Sequence, residues 1–170
     1  MDMKKKTLRI IGYIMIFCGV SVLGFFTYRK ISRELYLRRL LKENIVFEVP
    51  RLEIKVPVLE GTGKKELEAS AGHFEGTGSP GKGNFCIAGH NSTIYAEVFN
   101  DLDKIKNGDI IYVTDIDEKR TRYTYVVSDY QIVTPDSTGV LADFGDDRIT
   151  VISCTDDGKN RQCVVGKLKK

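Results

Sequence analysis

The chain has only two histidines and four cysteines, no C-x-x-C pair, no internal repeat and no low-complexity tract. Without a C-x-x-C pair, neither a zinc knuckle nor a thioredoxin-type dithiol can be built from neighbouring thiols. A site made from Cys86, His90, Cys154 and Cys163 would need the spacings Cys-x3-His and Cys-x8-Cys, which match no common finger. No basic stripe follows Glu43, and that part carries more Asp and Glu than Lys and Arg, so a nucleic-acid groove is excluded. The formal charge of +3 is concentrated around the N-terminal apolar run, where cations face anionic lipid head groups. The stretch Gly76 to Gly83, GTGSPGKG, lacks the hydroxyl a phosphate-binding loop needs after its lysine, and Pro80 removes an amide donor. It reads as a Gly/Pro turn before a buried strand.

One uncharged run is long. Ile10 to Thr27, IIGYIMIFCGVSVLGFFT, has 18 residues. At helical rise it spans about 27 Å, enough to cross a hydrocarbon core. The apolar part of a cleaved signal peptide is usually about 7–15 residues, and no small-x-small site follows Thr27, so the run reads as an uncleaved anchor. Lys4, Lys5, Lys6 and Arg9 precede it; Arg29, Lys30, Arg33, Arg38, Arg39 and Lys42 follow. By the positive-inside rule, this balance does not favour an external C-terminal domain. Ile31 to Asn44 has Leu and Ile at helical spacing among basic residues and reads as a juxtamembrane helix or stalk.

From Phe47 onward the texture changes to short apolar runs split by Gly, Pro, Asn and Asp. Strands are expected at 53–58, 84–88, 109–114, 121–128, 130–133, 148–153 and 162–168. Tyr123, Tyr125 and Val127 alternate with Arg122, Thr124 and Val126, the period of a sheet with unlike faces. Asp115 to Arg120 joins two such runs as a hairpin. Helical signal is sparse, at Tyr95 to Leu102 and Lys64 to Ser70. Many short strands with little helix predict a closed barrel or a sandwich.

Among the cysteines, Cys18 lies in the apolar run as a small filler, and Cys86 and Cys163 lie in the apolar runs FCIA and QCVV. Cys154 differs, because it ends one apolar run and opens the polar loop Thr155 to Asn160, after which Arg161 starts the last run. If the two runs are adjacent antiparallel strands, about 4.8 Å apart, Arg161 reaches a group held at the Cys154 thiol. Acyl transfer by cysteine needs a nucleophile, a proton donor for the leaving amine and stabilisation of the oxyanion. Cys154, His90 and Arg161 can fill these roles in that order. His73 sits in a turn-like stretch and reads as structural. Asp143, Asp146 and Asp147 lack the ordered spacing of a calcium loop and read as loop carboxylates. Asn91-Ser92-Thr93 matches a short glycosylation pattern.

"GNFCIAGHNS", "VFNDLDKIKNGDIIYV" and "ITVISCTDDGKNRQCVVGKL", in that order, resemble the sortases, membrane-anchored cysteine transpeptidases of Gram-positive bacteria. The resemblance covers roughly Val46 to Leu168. By position it makes His90 the histidine of the site, Cys154 the nucleophile and Arg161 the residue that positions substrate and stabilises the oxyanion. The family signature Thr-Leu-x-Thr-Cys stands here as Thr150-Val151-Ile152-Ser153-Cys154, with Ser153 keeping a hydroxyl beside the nucleophile.

The resemblance implies a mainly β fold, a closed eight-stranded sortase-type barrel with short helices, preceded by one N-terminal transmembrane helix. The implied organisation is a basic cytoplasmic tail at 1–9, an anchor at 10–28, a stalk at 29–45 and a catalytic domain at 46–170, placed outside the cell despite the charge count. The implied reaction cleaves an LPXTG-like sorting signal of a surface protein through a thioacyl-enzyme, then transfers the protein to an amino group of a cell-wall precursor or pilin. No cofactor is implied, and calcium modulation is left open. The short link between Cys154 and Arg161 and the single anchor look most like class D, with a class E or minor pilin-type enzyme as the alternative. Two other functions stay in view: a membrane-tethered thiol hydrolase or redox protein, and a non-catalytic scaffold of the same fold. Cys86, four residues before His90, is a candidate for oxidative control of the site.

Overall fold

The computed structural model describes residues 2–91 and 98–170. They fall into two compact units, Met1–Leu40 and Leu41–Lys170. From Asp2 the first lies within a single helix, α1 (Asp2–Glu43), which passes without a break through the expected anchor and through the expected stalk as far as Glu43. From Leu8 it carries an 18-residue window of mean hydropathy 2.2, none of it buried, so by length and composition it can cross a membrane.

The second unit is a barrel. Its strands are β1 (Ile45–Val49), β2 (Ile54–Glu60), β3 (Ala71–His73), β4 (Asn84–Ala88), β5 (Ile110–Thr114), β6 (Arg122–Val133), β7 (Arg148–Cys154) and β8 (Arg161–Leu168). Among the described residues these eight close in the order β1-β2-β3-β4-β7-β8-β6-β5. Closure removes the free edges that an open sheet would expose. One short helix, α2 (Lys64–Ala69), precedes β3, close to its expected place.

Alternation along the strands fills the interior. Phe47, Val49, Phe85, Ile87, Ile111, Val113, Tyr125, Ile149, Val151 and Val164 are buried together. Phe99 and Leu102, from the connection after β4, join this core, and Phe99 meets Phe47 edge to face at 5.6 Å. The other faces of β4, β7 and β8 present Asn84, Cys86, Ala88, Thr150, Ile152, Cys154, Arg161, Cys163 and Val165 outward, and the long connection between β6 and β7 crosses them.

The structure corrects three strand expectations. Runs 121–128 and 130–133 are one strand, β6, whose pairing with β8 shifts register between Val127 and Asp129. Ser128-Asp129 reads as a break in the sequence, whereas here it is a bulge that bends a continuous strand. β1 and β3 were not expected: β1 follows the helix after a single residue, and β3 has only three residues, too few to show a period. Of the helix expected at Tyr95 to Leu102, residues 95–97 lie outside the described residues; the rest is not α-helical, since 98–101 form a bend and a turn and Leu102 opens a short 3-10 turn, Leu102–Lys104. The glycosylation pattern beginning at Asn91 also runs outside them.

The Gly76–Gly83 segment is a turn, as expected. Its amides are engaged: Gly78 donates to the Asn84 carbonyl at 2.7 Å, Gly81 to the Tyr125 hydroxyl at 2.7 Å and Gly83 to Asp147 at 2.9 Å. Gly81 has φ +79 and lies against the Tyr123 ring, where a methyl group would collide. Only glycine suits that position.

Candidate active site

The C-terminal end of β7 and the start of β8 form the centre of the site. They pair antiparallel with Cys154 directly opposite Arg161, so both side chains leave the same, outward face at adjoining strand ends. This is the arrangement the sequence reading required. Cys154 is a free thiol and half-buried, so it is accessible. The Arg161 guanidinium donates to the Asn160 carbonyl at 3.1 Å within the connecting loop.

His90 arrives from the other side of β7. β4 runs parallel to β7, with Ala88 paired to Ile152, and Gly89 continues the ladder by donating to the Ile152 carbonyl at 3.1 Å. The same register, carried two residues past Ala88, brings His90 level with Cys154. The Gly89–Asn91 segment is held to β7 residue by residue. Ser153 Oγ donates to the Gly89 carbonyl at 2.9 Å, and Asn91 Nδ2 donates to the Cys154 carbonyl at 3.1 Å and to Asp156 Oδ1 at 2.8 Å. The Phe99 amide closes the segment by donating to the His90 carbonyl at 3.2 Å.

Two residues that the sequence reading did not single out shape this site. Gln162 is buried on the inner face and donates through Nε2 to the Cys154 carbonyl at 3.1 Å, while its Oε1 accepts from the Tyr130 hydroxyl at 3.1 Å. With Asn91, it gives the carbonyl of Cys154 two amide donors and fixes the backbone there. Asn84, also buried, accepts from Thr150 Oγ1 at 2.7 Å and donates to the carbonyls of Val140 and Ala142 at 3.0 and 2.8 Å. It thereby ties the β6–β7 connection down over the outward face. The bonding partners of Asn84 and Gln162 lie in separate parts of the chain or on the neighbouring strand, so only the fold reveals them.

Beneath that connection lies a cavity of about 150 Å³, lined mainly by apolar side chains including Phe74, Val133, Pro135, Leu141 and Ile152, with Arg161 and Cys163 on the strand side. It adjoins Arg161. Cys86 and Cys163 flank β7 and are fully buried, and burial pushes both thiols up to about 11. They behave as small hydrophobes, as their apolar runs suggested, and both are free. Among the described residues no three His, Cys, Asp or Glu side chains come together to hold a metal ion.

His73 lies apart from the site, in β3. Its Nδ1 faces Glu60 at 2.9 Å, its Nε2 meets the Gly78 carbonyl at 2.9 Å and Thr77 Oγ1 at 3.0 Å, and its ring packs on Phe85. This anchors the turn at 74–83, as expected of a structural histidine. The loop carboxylates also have partners. Asp146 pairs with Arg148 and Lys167, Asp147 accepts from the Gly83 amide, and Asp143 accepts from the Gly145 amide.

Comparison with known proteins places this geometry. The Sortase domain family model matches residues 47–169. Sortase A of Bacillus anthracis is 35% identical over 122 residues, covering 71% of this chain and 57% of that protein. Sortase D of Bacillus subtilis strain 168 is 26% identical over 97 residues, covering 56% of this chain and 46% of that protein. The chain therefore spans about half the length of these curated relatives. Among solved structures, a Clostridium perfringens Sortase D5 transpeptidase superposes with a TM-score of 0.68 at 33% identity, covering 75% of this chain and 79% of that one. With the barrel, its strand order and a family match over most of its length, the chain belongs to the sortase family.

Proposed function

We propose that the protein is a membrane-anchored cysteine transpeptidase that uses Cys154, His90 and Arg161 on an LPXTG-like sorting signal. The observation that supports this most strongly is the direct pairing of Cys154 with Arg161 on β7 and β8, with the His90 segment bonded to the next strand edge. The Cys154 sulfur bonds to the threonine carbonyl carbon of the signal, and the oxyanion formed is stabilised by the Arg161 guanidinium. As the tetrahedral species collapses, the Thr–Gly C–N bond breaks and His90 gives its proton to the leaving amine. The acceptor amine, on a cell-wall precursor or a pilin, then attacks the thioester carbonyl and gives a proton to His90, the C–S bond breaks, and the Cys154 thiolate leaves.

Helix α1 is the anchor in this reading, with the barrel on the outer side of the membrane. The short Cys154–Arg161 connection supports a class D assignment, while the Bacillus anthracis sortase A match holds the sortase A type open as the rival.

The test uses the full chain in detergent micelles with a panel of LPXTG-like peptides, with and without a glycine-based amine acceptor. Ligated product that depends on the acceptor, and that is absent for Cys154→Ala, supports transpeptidation. Cleavage at the same rate with no ligated product identifies a hydrolase instead. A folded protein that cleaves none of the panel favours the scaffold.

A further inference from the structure

A second cavity continues the groove beside Arg161. Along the outward faces of β7 and β8 the pairs run Cys154–Arg161, Ile152–Cys163, Thr150–Val165 and Arg148–Lys167. The small apolar cavity borders the first two of these tiers. A larger cavity of about 480 Å³ borders the last two, with Ser128 and Gln131 of β6 beside Thr150 and Val165, and with Phe144 from the β6–β7 connection. Val140 lines both, so the two lie in tandem along one sheet face, beneath one connection.

The cavity is firmly built. Asn84 holds the carbonyls on either side of Leu141, and the Arg148 guanidinium lies over the Phe144 ring at 4.1 Å while pairing with Asp146. Polar groups on its floor already have partners: Thr150 Oγ1 donates to Asn84, and Ser128 Oγ donates to the Val165 carbonyl at 3.3 Å. Its charges balance, since Arg148 and Lys167 both face Asp146 and Asp129 lies among the lining residues. Nothing there selects a phosphate or a polycation. A neutral extended peptide fits this chemistry.

Its occupant follows from length and direction. In the reaction proposed above, the carboxyl-terminal side of the scissile bond is expelled and replaced by the acceptor, so the amino-terminal side takes the covered groove. The four motif residues ending at threonine span about 13 Å when extended, whereas Cys154 to Arg148 is about 20 Å along the strand. The motif therefore ends near the Thr150–Val165 tier. We infer that the larger cavity binds the two or three substrate residues immediately upstream of the sorting motif, as an uncharged extended segment. This rests on the transpeptidase reading and adds an upstream determinant of substrate choice to it.

The test takes the panel peptide cleaved fastest, as the bare motif and with three alanines added at its amino end, on the full chain in micelles. The extended peptide is expected to gain about tenfold in kcat/KM through a lower KM, a difference the size of a few buried methyl groups. Gln131→Trp, at an exposed position on the rim, fills the cavity. It should erase that gain and leave the bare peptide's kcat/KM within about twofold, which also shows that the variant is folded. Gln131→Ala should keep the gain. Equal KM values for the two peptides in the unaltered protein, or a gain that survives Gln131→Trp, would overturn the inference while the transpeptidase reading stands. Absence of any thioester on Cys154 would instead remove that reading, and this inference with it.

Discussion

The Ser153 hydroxyl donates a 2.9 Å hydrogen bond to the carbonyl oxygen of Gly89 and is itself almost fully buried. It therefore joins the residue before the nucleophile to the residue before His90. Substituting Ser153 with Ala leaves that carbonyl without its donor, a loss of about 1–3 kcal/mol. The expected result is a Tm lower by several degrees and kcat reduced on the order of tenfold, because the two reacting groups sit on the joined segments. Ser153→Thr keeps the hydroxyl and should retain most of both. Equal kcat for Ser153→Ala and the unaltered protein would show that this bond does not set the geometry of the site.

Asn91 makes a second tie, at a half-exposed position, through the Cys154 carbonyl and Asp156. It acts as a positioning residue, since its amide bonds to the backbone of Cys154 and not to the thiol. Asn91→Ala should lower kcat on the order of tenfold with KM within about twofold. A purely structural role would lower Tm and leave kcat of the folded protein in place. Steady-state kinetics beside thermal melts separate the two.

Much of this was legible before the structure. The strand at 84–88 and the two that end and begin at Cys154 and Arg161 stand out, because apolar runs there are cut off sharply by polar loops. The sequence also kept His90, Cys154 and Arg161 at strand ends, where a barrel can bring them together. Other parts were hidden for physical reasons. Ser128-Asp129 has the composition of a turn but is accommodated as a bulge, with the strand pairing on both sides of it. β3 holds three residues and draws its order from its neighbours. Asn84 and Gln162 look like ordinary polar residues at strand starts, and their roles arise from Val140, Ala142, Tyr130 and Cys154, which only folding brings beside them.

The three thiols of the barrel should differ sharply in reactivity. Burial pushes Cys86 and Cys163 up to about 11, so both stay protonated and shielded at pH 8, whereas Cys154 is half-exposed. Iodoacetamide at pH 8 should modify Cys154 among these three and reach the other two only after unfolding, as peptide mass mapping would show. Rapid labelling of Cys86 in the folded protein would contradict this and would revive oxidative control at that position.

The same thiols bear on alkaline stability. Between about pH 9 and 11 the unfolded chain releases protons that the folded chain keeps on Cys86 and Cys163. Stability from these groups is thus present below pH 9 and is lost as pH rises through 11. Denaturant midpoints across pH 8 to 11 should fall, and Cys86→Ala combined with Cys163→Ala should flatten that slope. An unchanged slope in the double variant would assign the loss to other groups.

The central claim is that Cys154 forms the acyl-enzyme. The most direct measurement is the intact mass of the full chain, in micelles and quenched in acid during turnover of a cleaved LPXTG-like peptide, followed by peptide mapping. The account predicts an added mass equal to the peptide through its threonine less one water, mapped to Cys154, absent in Cys154→Ala and discharged by the acceptor amine. Turnover with no adduct at any time, or an adduct carried by Cys86 or Cys163, would contradict it.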